Sequence, residues 1–147
     1  MNWRDWVASR WLVEHKTSER EIADLLGVAD RDLSDCQTPG LSADRRLATA
    51  YNAALQLAIV ALAAAGFRPA REAHHYWAIQ SLAHTLGADR ATVDALDALR
   101  KKRNLSDYQR AGAVSDREAE EAIALARKLR AEVLAWLRAN HPHLVSR

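Results

Sequence analysis

The sequence has few of the residues that interrupt helices and few of those that favour strands. Its 147 residues include three prolines, five glycines and one phenylalanine, and β-branched residues are sparse beside alanine and leucine. Proline and glycine break helices, and β-branched residues favour sheet. We therefore predict an all-α fold, a four- to five-helix antiparallel bundle with the size of one typical domain.

The single cysteine, Cys36, excludes a disulfide within the chain and a cysteine-based zinc site. We therefore expect a reducing, cytoplasmic location. The first residues contain no apolar signal core, and the longest apolar stretch, residues 55–66, is too short and too interrupted to span a bilayer. No membrane partner, no metal and no cofactor are expected.

Positive charge is concentrated in one place. The formal net charge is only +2, which is not by itself typical of nucleic-acid-binding proteins. Residues 100–103 nevertheless form a run of four cations, and the polar stretch 104–108 follows directly. Because charge, hydrogen-bonding side chains and an aromatic hydroxyl converge within these few residues, this stretch is the first candidate for a functional centre.

Capping residues and glycines indicate where helices begin and end. Ser18, Ser42 and Ser115 are typical N-caps, and Gly66 and Gly87 are typical residues after a helix. The predicted helices cover residues 3–15, 18–27, 42–65, 70–86, 90–103 and 115–139, with a further turn or two at 30–36 and a loop at 104–114.

The chain shows no repeat and no convincing linker. The helix over residues 42–65 is apolar on more than one side, which indicates a central position in a bundle. We predict a helical bundle over residues 42–139, an N-terminal helical segment over residues 1–40 that packs on it, and a tail at 140–147.

Two further motifs receive structural interpretations. Residues 21–28 are similar to the first helix and turn of a helix-turn-helix, with the turn at Gly27, but three aspartates follow where a recognition helix would approach phosphates. A packed helix pair is therefore preferred. His74 and His75, with His84 later, have no acidic residue four positions on, so a metal site is not predicted. The histidine pair is expected to line the same groove as Arg103.

Arg103 is the cation that continues the apolar face of its predicted helix, whereas Lys101 and Lys102 turn away and are expected to be solvated. An arginine at the end of an apolar face needs a carboxylate, a phosphate or carbonyl oxygens. In a structural interpretation, Asn104 ends the helix, Arg103 pairs with Asp107 and Tyr108 packs. In a functional interpretation, Arg103 is a bidentate donor to an anion or RNA phosphate.

Residues 42–139 resemble the HEPN domains (higher eukaryotes and prokaryotes nucleotide-binding). The resemblance lies in the central helix and its exit (50–69), the next helix (74–82), and the signature region with the closing helix (100–108 and 115–137). It implies an all-helical bundle that forms a homodimer, with the two signature motifs facing each other across the interface cleft.

Many HEPN domains are metal-independent ribonucleases, and many are toxins paired with a small nucleotidyltransferase antitoxin. The resemblance implies an RNA- or nucleotide-phosphate-binding component of a prokaryotic toxin–antitoxin or defence system. Arg103 would bind phosphate, Asn104 and Asp107 would orient it, and Tyr108 would line the groove. Further nucleic-acid contacts are expected from Arg100, Lys101, Lys102, His74 and His75.

The chain departs from the family motif at one position. The motif is an arginine, a polar residue, three to five variable residues and a histidine; Arg103 and Asn104 match, but Tyr108 stands at the histidine position. An unperturbed tyrosine has a pKa near 10 and is a poor base at neutral pH, so the sequence leaves enzymatic activity open. Two alternatives remain: a non-catalytic interaction module that partners a nucleotidyltransferase, and a ribonuclease whose base, His74 or His75, comes from across the cleft.

Overall fold

The structure is a computed structural model that describes residues 2–71, 73–108 and 114–145, without the side chains of residues 105–108. Within these ranges the chain is mainly helical, which confirms the predicted class, and it adds one small antiparallel sheet. The helices are α1 (Trp3–Ala8), α2 (Glu19–Asp35), α3 (Ala43–Ala64), α4 (His74–Gln80), α5 (Leu82–Thr85), α6 (Arg90–Tyr108) and α7 (Asp116–Asn140), followed by a 3-10 turn (Pro142–Leu144); the strands are β1 (Leu12–Glu14) and β2 (Phe67–Pro69).

Helix α3 is the central element, and α2, α7, α6 and α4 pack around it. Its start and end follow the predicted signals: the Ser42 hydroxyl accepts a hydrogen bond from the backbone N–H of Arg45, and Gly66 follows with φ +102°. Among the described residues, α3 is also the one helix long and apolar enough to cross a membrane, but 67% of its most apolar window is buried inside the bundle. A core helix satisfies the same criterion.

Helix α2 is one continuous helix, so the predicted helix end at Gly27 is wrong, and the segment does not form a helix-turn-helix. Gly27 lies exposed in the middle of the helix. Ile22, Ala29 and Leu33 on either side of it are buried in the main core. Burying one isoleucine or leucine side chain stabilises by roughly 1.5–3 kcal/mol, which outweighs the ~1 kcal/mol cost of a helical glycine.

The N-terminal segment also differs from its prediction. Helix α1 ends at Ala8 instead of continuing to residue 15, and Arg10 takes a left-handed backbone conformation with φ +64°. The chain then extends, and Leu12 pairs with Pro69 of β2. This turn allows Trp6 and Leu12 to bury against the end of α3. The same cluster includes the stacked rings of Trp11 and Trp77, whose centroids are 3.9 Å apart.

The predicted helix over residues 70–86 is likewise interrupted. Its first residues connect β2 to α4, and Ser81 separates α4 from α5. Helix α6 is longer than predicted and runs through Tyr108, so Asn104 lies inside the helix and does not end it. The predicted N-cap of α7 is confirmed, and it forms a capping box: Ser115 and Glu118 each accept a hydrogen bond from the other's backbone N–H.

Candidate anion-binding groove

Helix geometry divides the cations of α6 between two sides. Residues three and four positions apart share a helix face, so Arg100 and Asn104 lie together while Lys102 lies on another side. Arg100 and Asn104 face the start of α4 across an open groove of 310 Å³. This surface, here called the histidine groove, is lined by Arg71, Ala73, His74, His75, Tyr76, Arg100 and Asn104.

The turn into α4 places both histidines at the groove. Ala73 precedes the helix with φ +53°, in the left-handed region that favours glycine, and it provides no side-chain cap. A non-glycine residue in this region costs roughly 1–2 kcal/mol. The imidazole rings of His74 and His75 follow immediately, with centroids 4.8 Å apart and nearly perpendicular planes.

His75 is tied to the protein core by Tyr51 of α3. The Tyr51 side chain is 0% exposed, and its hydroxyl lies 3.0 Å from Nδ1 of His75. Burial raises the pKa of Tyr51 to about 12, so the hydroxyl keeps its proton. Burial, together with electrostatic repulsion from the neighbouring His74, Arg103 and Arg100, lowers the pKa of His75 below its ordinary value of 6.5. His75 is therefore neutral at pH 7.

Arg100 projects a partly neutralised guanidinium into the groove. Its Nε donates to Asp97 at 2.7 Å, and its guanidinium carbon lies 5.5 Å from the Tyr76 ring centroid, within cation–π range. Nζ of Lys101 lies 3.5 Å from the other oxygen of the same carboxylate. One largely buried carboxylate thus serves two cations, and this part of α6 keeps a net positive charge.

Arg103 lies deeper than Arg100. It is half-buried, and its guanidinium carbon lies 5.8 Å from the ring centroid of Tyr51. This position agrees with the prediction that Arg103 continues the apolar face of α6. The predicted partners Asp107 and Tyr108 are in the last turn of α6, and their side chains lie outside the described residues, so the pairing of Arg103 with Asp107 stays a prediction.

Lys102 belongs to a different surface, where it is partly exposed and is paired with a carboxylate. Its Nζ lies 3.2 Å from Oε2 of Glu118, which joins α6 to the first turn of α7. Hydrogen bonds from the Ser115 backbone and from Lys102 lower the pKa of Glu118. Lys101, by contrast, is exposed as predicted. Lys102 and Glu118 border an apolar groove of 490 Å³. Its lining consists of Leu47, Ala95, Ala98, Leu99, Lys102, Glu118, Glu121, Ala122 and Leu125.

In the part of the chain that the structure describes, no three His, Cys, Asp or Glu side chains are grouped as a metal ion would require. His84 packs against the rings of Trp3 and Trp6, with centroids 5.3 and 5.0 Å apart. These contacts place the third histidine in the tryptophan cluster, whereas His74 and His75 line the histidine groove.

Three residues were not predicted as site residues: Arg71 and Tyr76, which line the groove, and Tyr51, which lies buried behind it. Tyr51 carries a signal in retrospect, because a tyrosine on the most buried helix needs a hydrogen-bond partner for its hydroxyl. Arg71 and Tyr76 lack such a signal, since only the turn at Ala73 brings them to the groove.

Comparison of the chain with protein-family models, with curated proteins and with solved structures finds no match.

Proposed function

We propose that the histidine groove binds a phosphate group of RNA or of a nucleotide, and that the chain is an HEPN-like component of a prokaryotic toxin–antitoxin or defence pair. One observation carries the proposal: Arg71, His74, His75 and Arg100 line the same groove. Arginine binds phosphate through paired, charge-assisted hydrogen bonds, and imidazole supplies a further donor. Asn104 at the same groove adds an uncharged donor.

The dimensions of the groove favour a short segment of single-stranded RNA, or a single nucleotide, over a large enclosed ligand. Its volume of 310 Å³ is at the lower end of ligand pockets, which span roughly 300–1,000 Å³. The Tyr76 ring beside Arg100 offers an aromatic surface of the kind on which single-stranded bases stack. In this proposal Arg100 makes the first phosphate contact, and Arg103 supports it from behind through its charge and its contact with Tyr51.

The proposed partners follow from the HEPN resemblance, and the proposed cytoplasmic location follows from the single cysteine. A cytoplasmic homodimer would bring two copies of the positive α6 surface to one cleft, and a nucleotidyltransferase antitoxin would be encoded beside this chain. Light scattering on the purified protein gives the molar mass that tests the dimer. Co-expression with the neighbouring gene tests the partner.

RNA binding is tested by fluorescence anisotropy of a labelled single-stranded RNA with two charge-matched variants. Arg100→Gln removes a cation from the histidine groove and should weaken binding about tenfold, the loss expected for one charge-assisted hydrogen bond. Lys102→Gln removes the same charge from the other side of α6 and should change affinity less than about twofold. Equal losses in both variants would indicate unspecific attraction and would contradict a site at the groove.

A ribonuclease with a displaced base is the second candidate, supported by the neutral state of His75 beside His74 and Arg100. A neutral imidazole is able to accept a proton near pH 7. Cleavage in the presence of EDTA, abolished by His74→Asn or His75→Asn, would support this candidate. Intact RNA after prolonged incubation, with binding retained, would leave the phosphate-binding function.

A non-catalytic interaction module is the third candidate, and the apolar groove beside Lys102 and Glu118 is the observation that favours it. Open apolar surfaces of this kind are typical of contact sites between proteins. Stable co-purification with a nucleotidyltransferase, combined with no RNA binding by the wild type, would favour this candidate over the other two.

A further inference from the structure

The burial of Tyr51 determines which group donates and which accepts in its hydrogen bond with His75. The Tyr51 hydroxyl has one hydrogen-bond partner among the described residues, Nδ1 of His75 at 3.0 Å. Because the hydroxyl is fully buried, its proton needs an acceptor inside the protein. The neighbouring guanidinium of Arg103 has only donors. Tyr51 must therefore donate, and Nδ1 of His75 must accept.

This direction fixes the tautomer of His75. A neutral imidazole carries one N–H, so a ring whose Nδ1 accepts a hydrogen bond carries its proton on Nε2. His75 lines the histidine groove while its Nδ1 is turned towards the buried Tyr51. Nε2, on the opposite side of the ring, is therefore directed away from the core.

We infer that Tyr51 is a positioning residue that holds His75 as a neutral Nε2–H donor to a phosphate oxygen in the histidine groove. This inference rests on the proposed phosphate-binding function and adds the charge and the tautomer of His75 as the hydrogen-bond donor. The charged and titratable groups that face His75 are Tyr51 from α3, His74 from α4, and Arg100 and Arg103 from α6. The three cationic or ionisable neighbours on α4 and α6 disfavour an imidazolium, whereas a neutral N–H donor is compatible with them.

The Nε2–H tautomer of His75 also distinguishes phosphate binding from RNA cleavage as the role of His75. A nitrogen that already carries a proton does not take one from a ribose hydroxyl, so His75 held by Tyr51 binds phosphate and does not act as the base. If the chain cleaves RNA, the base would have to be His74 or a group outside the described residues. The donor role also predicts that His75 contributes to RNA binding at pH 8 as it does at pH 7, because a neutral donor does not depend on protonation.

The tautomer is measured directly by long-range proton–nitrogen correlation spectra of the ¹⁵N-labelled full chain at pH 7.5. We expect the Nε2–H form of His75 in the wild type and a mixture of both forms in Tyr51→Phe, which keeps the ring and loses the hydroxyl. Amide spectra show whether this variant is folded. A dominant Nδ1–H form in the wild type overturns the inference whether or not the protein binds RNA.

The donor role is measured with an oligouridine RNA that lacks terminal phosphates and two substitutions of His75. The amide of glutamine reaches the position of Nε2, whereas the shorter asparagine reaches that of Nδ1. His75→Gln should bind within about threefold of the wild type at pH 7 and pH 8, and His75→Asn should lose about tenfold. Equal affinities of both variants and the wild type overturn the donor role. A wild type that does not bind RNA overturns the proposed function and the donor role together, even where the tautomer is as expected.

Discussion

The hydroxyl of Tyr51 and Nδ1 of His75 lie 3.0 Å apart, and this hydrogen bond joins the central helix α3 to the first turn of α4. Helix α4 has only seven residues, and Ala73 before it provides no side-chain cap. The bond to Tyr51 therefore anchors an element that is too short to be stable by itself. Together with the buried Ala78 and Ile79, it holds the start of α4 and its two histidines against the core.

Tyr51→Phe should lower the free energy of unfolding by about 1 kcal/mol, because one buried hydrogen bond is lost and Nδ1 of His75 is left without its donor. Urea denaturation measures this change. Tyr76→Phe is the matched control, since the Tyr76 hydroxyl has no hydrogen-bond partner among the described residues. A loss of equal size in both variants would show that the bond to His75 contributes nothing specific.

Stability should fall as the solution is acidified below pH 6.5, and His75 should account for part of the fall. Burial and neighbouring positive charge lower the pKa of His75 in the folded chain. Below 6.5 the unfolded chain therefore takes up a proton before the folded chain does, so the stability present above pH 6.5 is lost as pH decreases. His75→Gln should flatten this slope in urea denaturation between pH 5 and pH 7.5.

His141 provides the reference for that experiment, because burial and the nearby His143 also lower its pKa. His141→Gln should remove a separate part of the same slope, and the double variant should be flatter than either single one. A slope unchanged by His75→Gln would contradict the buried, neutral state assigned to His75.

Gly27→Ala should raise the free energy of unfolding by about 0.5–1 kcal/mol, because alanine loses less conformational freedom than glycine in a helix. The position of the added Cβ is open, with nothing within 4 Å. Gly66→Ala is the opposing control, since Gly66 has φ +102° and alanine is strained there. Chemical denaturation of both variants measures the two changes, and a destabilised Gly27→Ala would contradict a continuous α2.

The parts of the fold that could be predicted from the sequence are those set by neighbouring residues. Ser42 and Ser115 cap the helices that they were expected to cap, and Gly66 follows α3 in a left-handed conformation. The errors lie where distant residues decide. Burial of the α2 face against α3 carries the helix through Gly27, and burial of Leu12 against the tryptophan cluster turns part of a predicted helix into β1.

In the candidate site, too, local features could be predicted from the sequence, whereas those set by distant residues could not. The run of cations on α6 was recognised from the sequence. The histidine pair was expected to line a groove with Arg103, but the groove that it lines contains Arg100 and Asn104 instead. The sequence did not indicate which cation faces the histidines. That depends on the packing of α6 against α4, which places Arg100 at the groove, Arg103 over Tyr51 and Lys102 beside Glu118. Tyr51 was missed because its partner is 24 residues away.

The most direct test of phosphate binding at the histidine groove is a titration of the ¹⁵N-labelled protein with single-stranded RNA, followed through the imidazole signals. We expect the signals of His74 and His75 to shift in proportion to bound RNA while those of His141 and His143 at the C-terminal end stay unchanged. Shifts confined to His141 and His143, or unchanged signals of all four histidines at saturating RNA, would contradict the account.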